Sequence, residues 1–322
     1  MSRTPTDSMP ATEVLPATDA AFATMVARLS HLSVGRGVDA YRDVDWDDPD
    51  LAVDPTDPRF ALSPIDPFGA TDWYRAQPPD VQARIGLVRM ASCLRTGWQF
   101  ENLLQQGLLH RALHLRAGSP EFRYSHHEII EESQHTLMFE EFVVRSGTGV
   151  RGMPRWLRRA VEVILPPIAE WAPALFFVMV LGGEDPIDHL QRLMLAEGGG
   201  HPLLERIMRI HIAEEARHLS FARAALKRDV PTLGRARREL LSVLAPLVLG
   251  IMVRLMIEPT TDVIRRGDAP RSVVRGAFAT PAGRALRTAS VAKPRRLLRE
   301  LGAITPAGRL VWKAFGIWDP DA

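Results

Sequence analysis

The stretch HIAEEARH, residues 211–218, decides how this sequence is read. On an α-helix turning by about 100° per residue, Glu215 and His218 share one face, and His211, four residues before Glu215, falls within about 40° of the same line. The Glu-x-x-His spacing occurs earlier too, in EESQH at 131–135, as Glu132 and His135. Either motif alone is weak, because Glu and His are ordinary residues on a solvated helix face. Their stripes, however, are apolar. Glu132 and His135 continue to Phe139 and Phe142, and Glu215 and His218 share theirs with Ile207, Met208 and Phe221. A carboxylate on a face that belongs in the core needs a compensating partner, and a divalent metal is one of the few strong enough.

Two helices each carrying Glu-x-x-His, with single glutamates from two further helices, form the ligand set of ferritin-like di-iron and di-manganese bundles. Glu101, in RTGWQFENLLQQGLL (95–109), projects from a largely apolar face. Glu184 follows the apolar run APALFFVMVLGG (172–183), with Glu170, fourteen residues earlier on a similar face, as its competitor. Four glutamates balance two divalent cations, whereas four buried carboxylates without metal would repel one another and largely protonate. Oxygen-rich ligation with a few imidazoles suits iron or manganese, and iron if the site handles dioxygen. Glu131 and Glu214 point about 100° away from the ligand line and read as surface acids or as supports behind the ligands. Glu128 lies on the Glu132 stripe, with an exposed acid or a supporting one as its two readings. His110 and His114 are one turn apart with no acid on their own stripe, and read as ordinary surface or core histidines. Gly97, beside Glu101, and Tyr124 are the candidates for lining a substrate cavity.

The rest of the chain fits an all-α protein. Nowhere among the 322 residues do apolar and polar residues alternate between hairpin turns. Caps and breakers place long helices at about 81–117, 121–146, 153–197 with breaks, 201–227 and 231–266, after a first amphipathic helix at 20–36. Residues 1–18 read as disordered, and 37–80, rich in Asp and Pro, as an irregular acidic segment hugging the surface without chemistry of its own. The expected organisation is one helical domain over 19–322, with the metal-binding bundle at about 81–266 and a basic extension at 267–322. Forty basic against thirty-eight acidic residues leave +2, with no overall footprint for nucleic acid. The tail from 261 carries +7 and the first sixty residues −6. A basic tail would suit an acidic carrier protein, but mutual neutralisation of the two ends, within or between subunits, is the preferred reading. Cys93, the single cysteine, excludes a disulfide framework and a cysteine-held cluster and reads as a small buried hydrophobe. The run at 172–181 is too short to span a bilayer, and the N-terminus lacks the apolar core of a secretory signal, so no membrane and a cytoplasmic location are expected. A homodimer is the default assembly.

Taken together, the pattern resembles the p-aminobenzoate N-oxygenases, the AurF-type di-iron oxygenases. That family's order is a lone Glu, a Glu-x-x-His, a lone Glu, then His-x-x-x-Glu-x-x-His. Glu101, Glu132 with His135, Glu184, and His211 with Glu215 and His218 match it at all seven positions, over about residues 80–260. The resemblance selects Glu184 over Glu170 through its distance to His211. It implies a ferritin-like bundle in which these seven residues hold two irons, with Glu132 and Glu215 bridging them, and dioxygen as co-substrate for oxidising an amine nitrogen. Arylamines are the expected substrates, with hydroxylamine, nitroso or nitro products. No flavin or nicotinamide fingerprint is present, so an external reductase or chemical reductant must supply electrons. The runners-up are a di-iron hydroxylase or desaturase acting on carbon, which the additional His211 argues against, and a non-catalytic ferritin-like metal-binding protein.

Overall fold

The computed structural model describes residues 19–320, so the expected disordered stretch 1–18 lies outside the described residues. The helices are α1 (Asp19–Arg36), α2 (Asp72–Arg75), α3 (Pro79–Ala112), α4 (Pro120–Arg145), α5 (Arg155–Trp171), α6 (Pro173–Glu197) and α7 (Pro202–Asp229). They continue with α8 (Arg235–Ile257), α9 (Thr261–Arg266), α10 (Arg271–Ala279), α11 (Pro281–Ser290), α12 (Ala292–Glu300) and α13 (Pro306–Ala314). No strand occurs among the described residues.

Local chemistry sets the boundaries. Ser119 caps α4 by accepting from the Phe122 amide, with Pro120 as the first helical residue. His201 does the same for α7, accepting from the Leu203 amide ahead of Pro202. Gly198, with φ 73°, closes α6 in the left-handed conformation that glycine adopts without strain. The helical stretch expected with breaks at 153–197 divides at Ala172, because Pro173 has no N–H to continue the bonding of the helix before it. For the same reason the one expected at 231–266 stops at Ile257, ahead of Pro259, and restarts at Thr261.

Two helix hairpins make the bundle: α3 packs along α4, and α6 along α7. The connection between them, carrying α5, is the long crossover of a ferritin-like fold. Outside this bundle, α8 backs α6, α1 lies across α4 and α7, and α5 lies along α3. The C-terminal segment is packed rather than free: α13 buries Trp312 against α8, and Lys293 of α12 pairs with Asp188 of α6 at 3.0 Å. The stretch Arg235–Arg266 is long and apolar enough to cross a membrane by composition, but 56% of its apolar window is buried, as in a core helix.

The acidic segment at 37–80 is anchored more firmly than its composition suggests. Phe60, Phe68 and Tyr74 are buried, and the Tyr74 hydroxyl accepts from the Leu62 amide while donating to the Gln82 carbonyl. Arg89 of α3 pairs with Asp66 at 3.1 Å. Gly86 lets the segment approach the α3 backbone, since a Cβ there would lie 1.8 Å from the Phe60 carbonyl oxygen. Backbone cannot rotate away as a side chain can, so Gly86→Ala is expected to destabilise the protein by about 1–3 kcal/mol. Urea unfolding tests this, and an unchanged midpoint would contradict the close approach.

Candidate metal centre

Glu101 comes from α3, Glu132 and His135 from α4, Glu184 from α6, and His211, Glu215 and His218 from α7. The fold brings all seven together in the core, none more than 3% exposed. Glu132 and Glu215 sit in the middle, grouped with both His135 and His218. His218 Nδ1 lies 2.9 Å from Glu215 and 3.1 Å from Glu132, and His135 Nδ1 lies 3.5 Å from each of the same two carboxylates. His211 points its Nε2 towards Glu101, Glu184 and Glu215 at 3.6, 3.7 and 3.8 Å.

Each imidazole is held from behind. His135 Nε2 meets Glu214 at 3.0 Å, His218 Nε2 meets Glu131 at 2.7 Å, and His211 Nδ1 meets Gln191 at 2.9 Å. In each ring the anchored nitrogen is thus the one facing away from the carboxylates, which leaves the other for a metal. The acids adjacent to the ligand-type glutamates are therefore buried supports and not surface groups. They also cross over: Glu131 of α4 holds the imidazole of α7, and Glu214 of α7 holds the imidazole of α4. Arg217 joins the two, reaching Glu131 at 2.6 Å and Glu214 at 3.2 Å. The repeated unit is thus Glu-Glu-x-x-His, visible in EESQH and EEARH; Gln191 has no comparable signal in the sequence.

Burial, and next the charge of Glu132 or Glu215, pushes Glu101 and Glu184 well above the usual carboxyl range. Burial opposes ionisation of Glu132 as well, but the imidazoles of His218 and His135 beside it override that and bring the carboxyl down to about 2. Burial likewise works against charging His135 and His218, yet the surrounding glutamates raise both well above an ordinary imidazole. His211 moves the other way, lowered by burial and by the charge of His135. Both Glu132 carboxylate oxygens, Glu215 Oε2 and His135 Nδ1 are buried without a hydrogen-bond partner. Convergent unpartnered oxygens and nitrogens of this kind fit a pair of hard-to-borderline dications.

The other candidates fall elsewhere. Glu170, in α5, pairs with His110 and His114 instead of entering the centre, so those two histidines do have an acid beside them, from a different helix. Glu128 is buried one turn from Glu132. Tyr124 packs edge-on against Phe221 at 4.8 Å. Gly97 lines a cavity of about 20 Å³ with Glu101, Glu184 and His211, closed by Phe100, Phe139, Ile187 and Met256. That is room for one molecule of about the size of water. A larger cavity of about 240 Å³ begins one turn further along α3, α6 and α7, at Met90, Leu190, Met194 and Met208, and residues 58–66 form its outer wall. Cys93, half-buried, lines the small cavity.

A helical bundle with carboxylates and imidazoles from its four central helices defines the class of metal-binding ferritin-like proteins. The model of the P-aminobenzoate N-oxygenase AurF family matches residues 19–302, and the chain belongs to that family. It is also 41% identical over 299 residues to uncharacterized proteins of Mycobacterium bovis and of Mycobacterium tuberculosis strain H37Rv, covering 92% of this chain and 88% of each relative.

Two outcomes follow from this geometry. Replacing Glu214 by Gln removes the charged acceptor behind His135 and is expected to weaken metal retention about 10–100-fold, measured by dialysis against a chelator. Burial and neighbouring charge shift Glu101, Glu184, His135 and His218 towards their protonated forms, so entering dications compete with protons there. Loading is therefore expected to release protons, with apparent affinity falling as pH is lowered and rising as it is raised. Metal titration in weak buffer with an indicator dye reads this directly, and a pH-independent affinity would contradict it.

Proposed function

We propose that the protein is a di-iron N-oxygenase that uses dioxygen and electrons from an external donor to oxidise the nitrogen of a small arylamine. The observation that carries this reading is His211, whose Nε2 is turned into the centre and whose Nδ1 is fixed by Gln191, in a chain of the AurF family. Glu101, Glu132, His135, Glu184, His211, Glu215 and His218 would hold the two irons, with Glu132 and Glu215 between them. When bound, the iron pair supplies the activation of dioxygen and the electron bookkeeping of oxygen transfer.

The chain's own residues do the remainder. Glu131, Glu214 and Gln191 keep the three imidazoles aimed inward. Phe100, Phe139, Ile187 and Met256 exclude bulk water from the space beside Glu101 and Glu184. The larger cavity between α3, α6 and α7 has room for the body of an aromatic amine, with its nitrogen directed towards the small cavity. No Lys or Arg lines that inner space, so the reacting end of the substrate meets apolar side chains and the carboxyl groups of the centre.

The test is elemental analysis of iron-supplied protein, followed by turnover of an arylamine panel with a chemical reductant and isotopically labelled dioxygen. Two irons per chain and label on nitrogen are expected for the native protein. His135→Ala is expected to lose iron and product together, whereas His211→Ala is expected to keep more iron than product. A full iron complement with label only on carbon would establish the hydroxylase alternative, and iron loading far beyond two with no turnover would establish storage.

A further inference from the structure

His110 lies in the last turn of α3 and His114 in the turn that follows it, and the fold brings an acid to them from α5. His110 Nε2 lies 3.1 Å from Glu170 Oε2, and His114 Nε2 lies 3.8 Å from Glu170 Oε1. The two rings are 5.6 Å apart, and the ligand-type atoms of the three residues all lie within 4.8 Å of one another. Each imidazole therefore faces a different oxygen of one carboxylate, leaving a point between them that two nitrogens and an oxygen can reach. Arg111, between the two histidines in sequence, turns away to Glu121, so its guanidinium does not compete. His114 is about half exposed, and the other two side chains are 31% exposed, so ions and water reach the cluster. His110 is nine residues past Glu101 on α3, about 13 Å along the helix axis, and the cluster shares no residue with the buried centre.

We propose that His110, His114 and Glu170 form a second metal site, which takes one zinc-type divalent ion with water in the remaining position and staples the end of α5 to the end of α3. Two imidazoles and a carboxylate with one open position are a zinc ligand set, and the softer, nitrogen-rich donors separate it from the oxygen-rich buried centre. The staple has something to hold. Pro166 and Pro167 interrupt the hydrogen bonding of α5 just ahead of Glu170, so its last turn is the part least secured by its own backbone. Further along, Leu157, Val161 and Leu165 of α5 cover an apolar cavity of about 140 Å³. Phe100 lines that cavity and the small one beside Glu101 and Glu184, so α5 is the outer wall behind the residue that separates them.

The experiment uses the full chain with its buried centre filled with iron. Zinc is added, the excess is dialysed away at micromolar free zinc, and iron and zinc are counted together. One zinc per chain is expected with iron unchanged, lost in Glu170→Gln and in His114→Ala while both variants keep their iron. Cobalt in place of zinc is expected to give the visible bands of a four- or five-coordinate ion in the native chain alone. Hydrogen exchange of amides 168–171 is expected to slow with zinc in the native chain and not in Glu170→Gln. No zinc uptake, zinc gained only in exchange for iron, or zinc retained in both variants would overturn the site. Zinc bound with exchange in α5 unaltered would overturn the staple.

Discussion

Mutual repulsion among the four carboxyl groups of Glu101, Glu132, Glu184 and Glu215, buried in one apolar core, is the constraint on which the rest of the structure depends. No single helix could present them together, and no core could keep them there uncompensated. The hairpin α3–α4 and the hairpin α6–α7 bring residues far apart in sequence within a few ångströms. Compensation then comes in layers: imidazoles of His135 and His218 against the central glutamates, a shift of Glu101 and Glu184 towards the neutral form, and Arg217 behind the supporting acids. Two dications at the same place would offset that repulsion directly.

Space around the centre is controlled by where helices touch closely. Gly183, next to Glu184, accepts the ring of Phe100 where a Cβ would lie 2.1 Å from it, and this contact closes the side towards α5. The opposite direction, along α3, α6 and α7, stays open enough for the larger cavity, and there the wall is the acidic segment before α2. A stretch that reads as surface irregularity thus shapes the approach to the interior. The basic C-terminal helices serve a different purpose. Buried Trp312 and the Lys293–Asp188 pair tie them to α8 and α6, which makes them part of the support for the helix that carries Glu184.

Much of this is legible in the residues themselves. Helical spacing put Glu132 with His135 and Glu215 with His218 on common faces, and the apolar company of both pairs pointed inward. Spacing also places Glu131 and Glu214 on a different face, yet it does not say that this face is buried too; only the packing of α4 against α7 turns them into supports. Gln191 was out of reach because nothing local distinguishes a glutamine that meets His211 from one that meets water. Glu170 illustrates the same limit. Periodicity extended through Pro173 makes it equivalent to Glu184, whereas the break there rotates it away and delivers it to His110 and His114, a partnership between helices that no single stripe can show. A break within 153–197 was legible, whereas the one at Ile257 needed Pro259 to be weighed as a stop.

The crossed support of the two imidazoles also divides the centre into unequal halves. A rotation of α4 that moved Glu132 would pull Glu131 from His218, and a rotation of α7 would pull Glu214 from His135, so these two helices are geared to one another through Arg217. Glu101 accepts from the Thr136 hydroxyl at 3.2 Å, and Glu101 and Glu184 approach His211 at 3.6 and 3.7 Å. Glu101 and Glu184 are the two carboxyl groups that border the small cavity, so a guest arriving there meets them before the central pair.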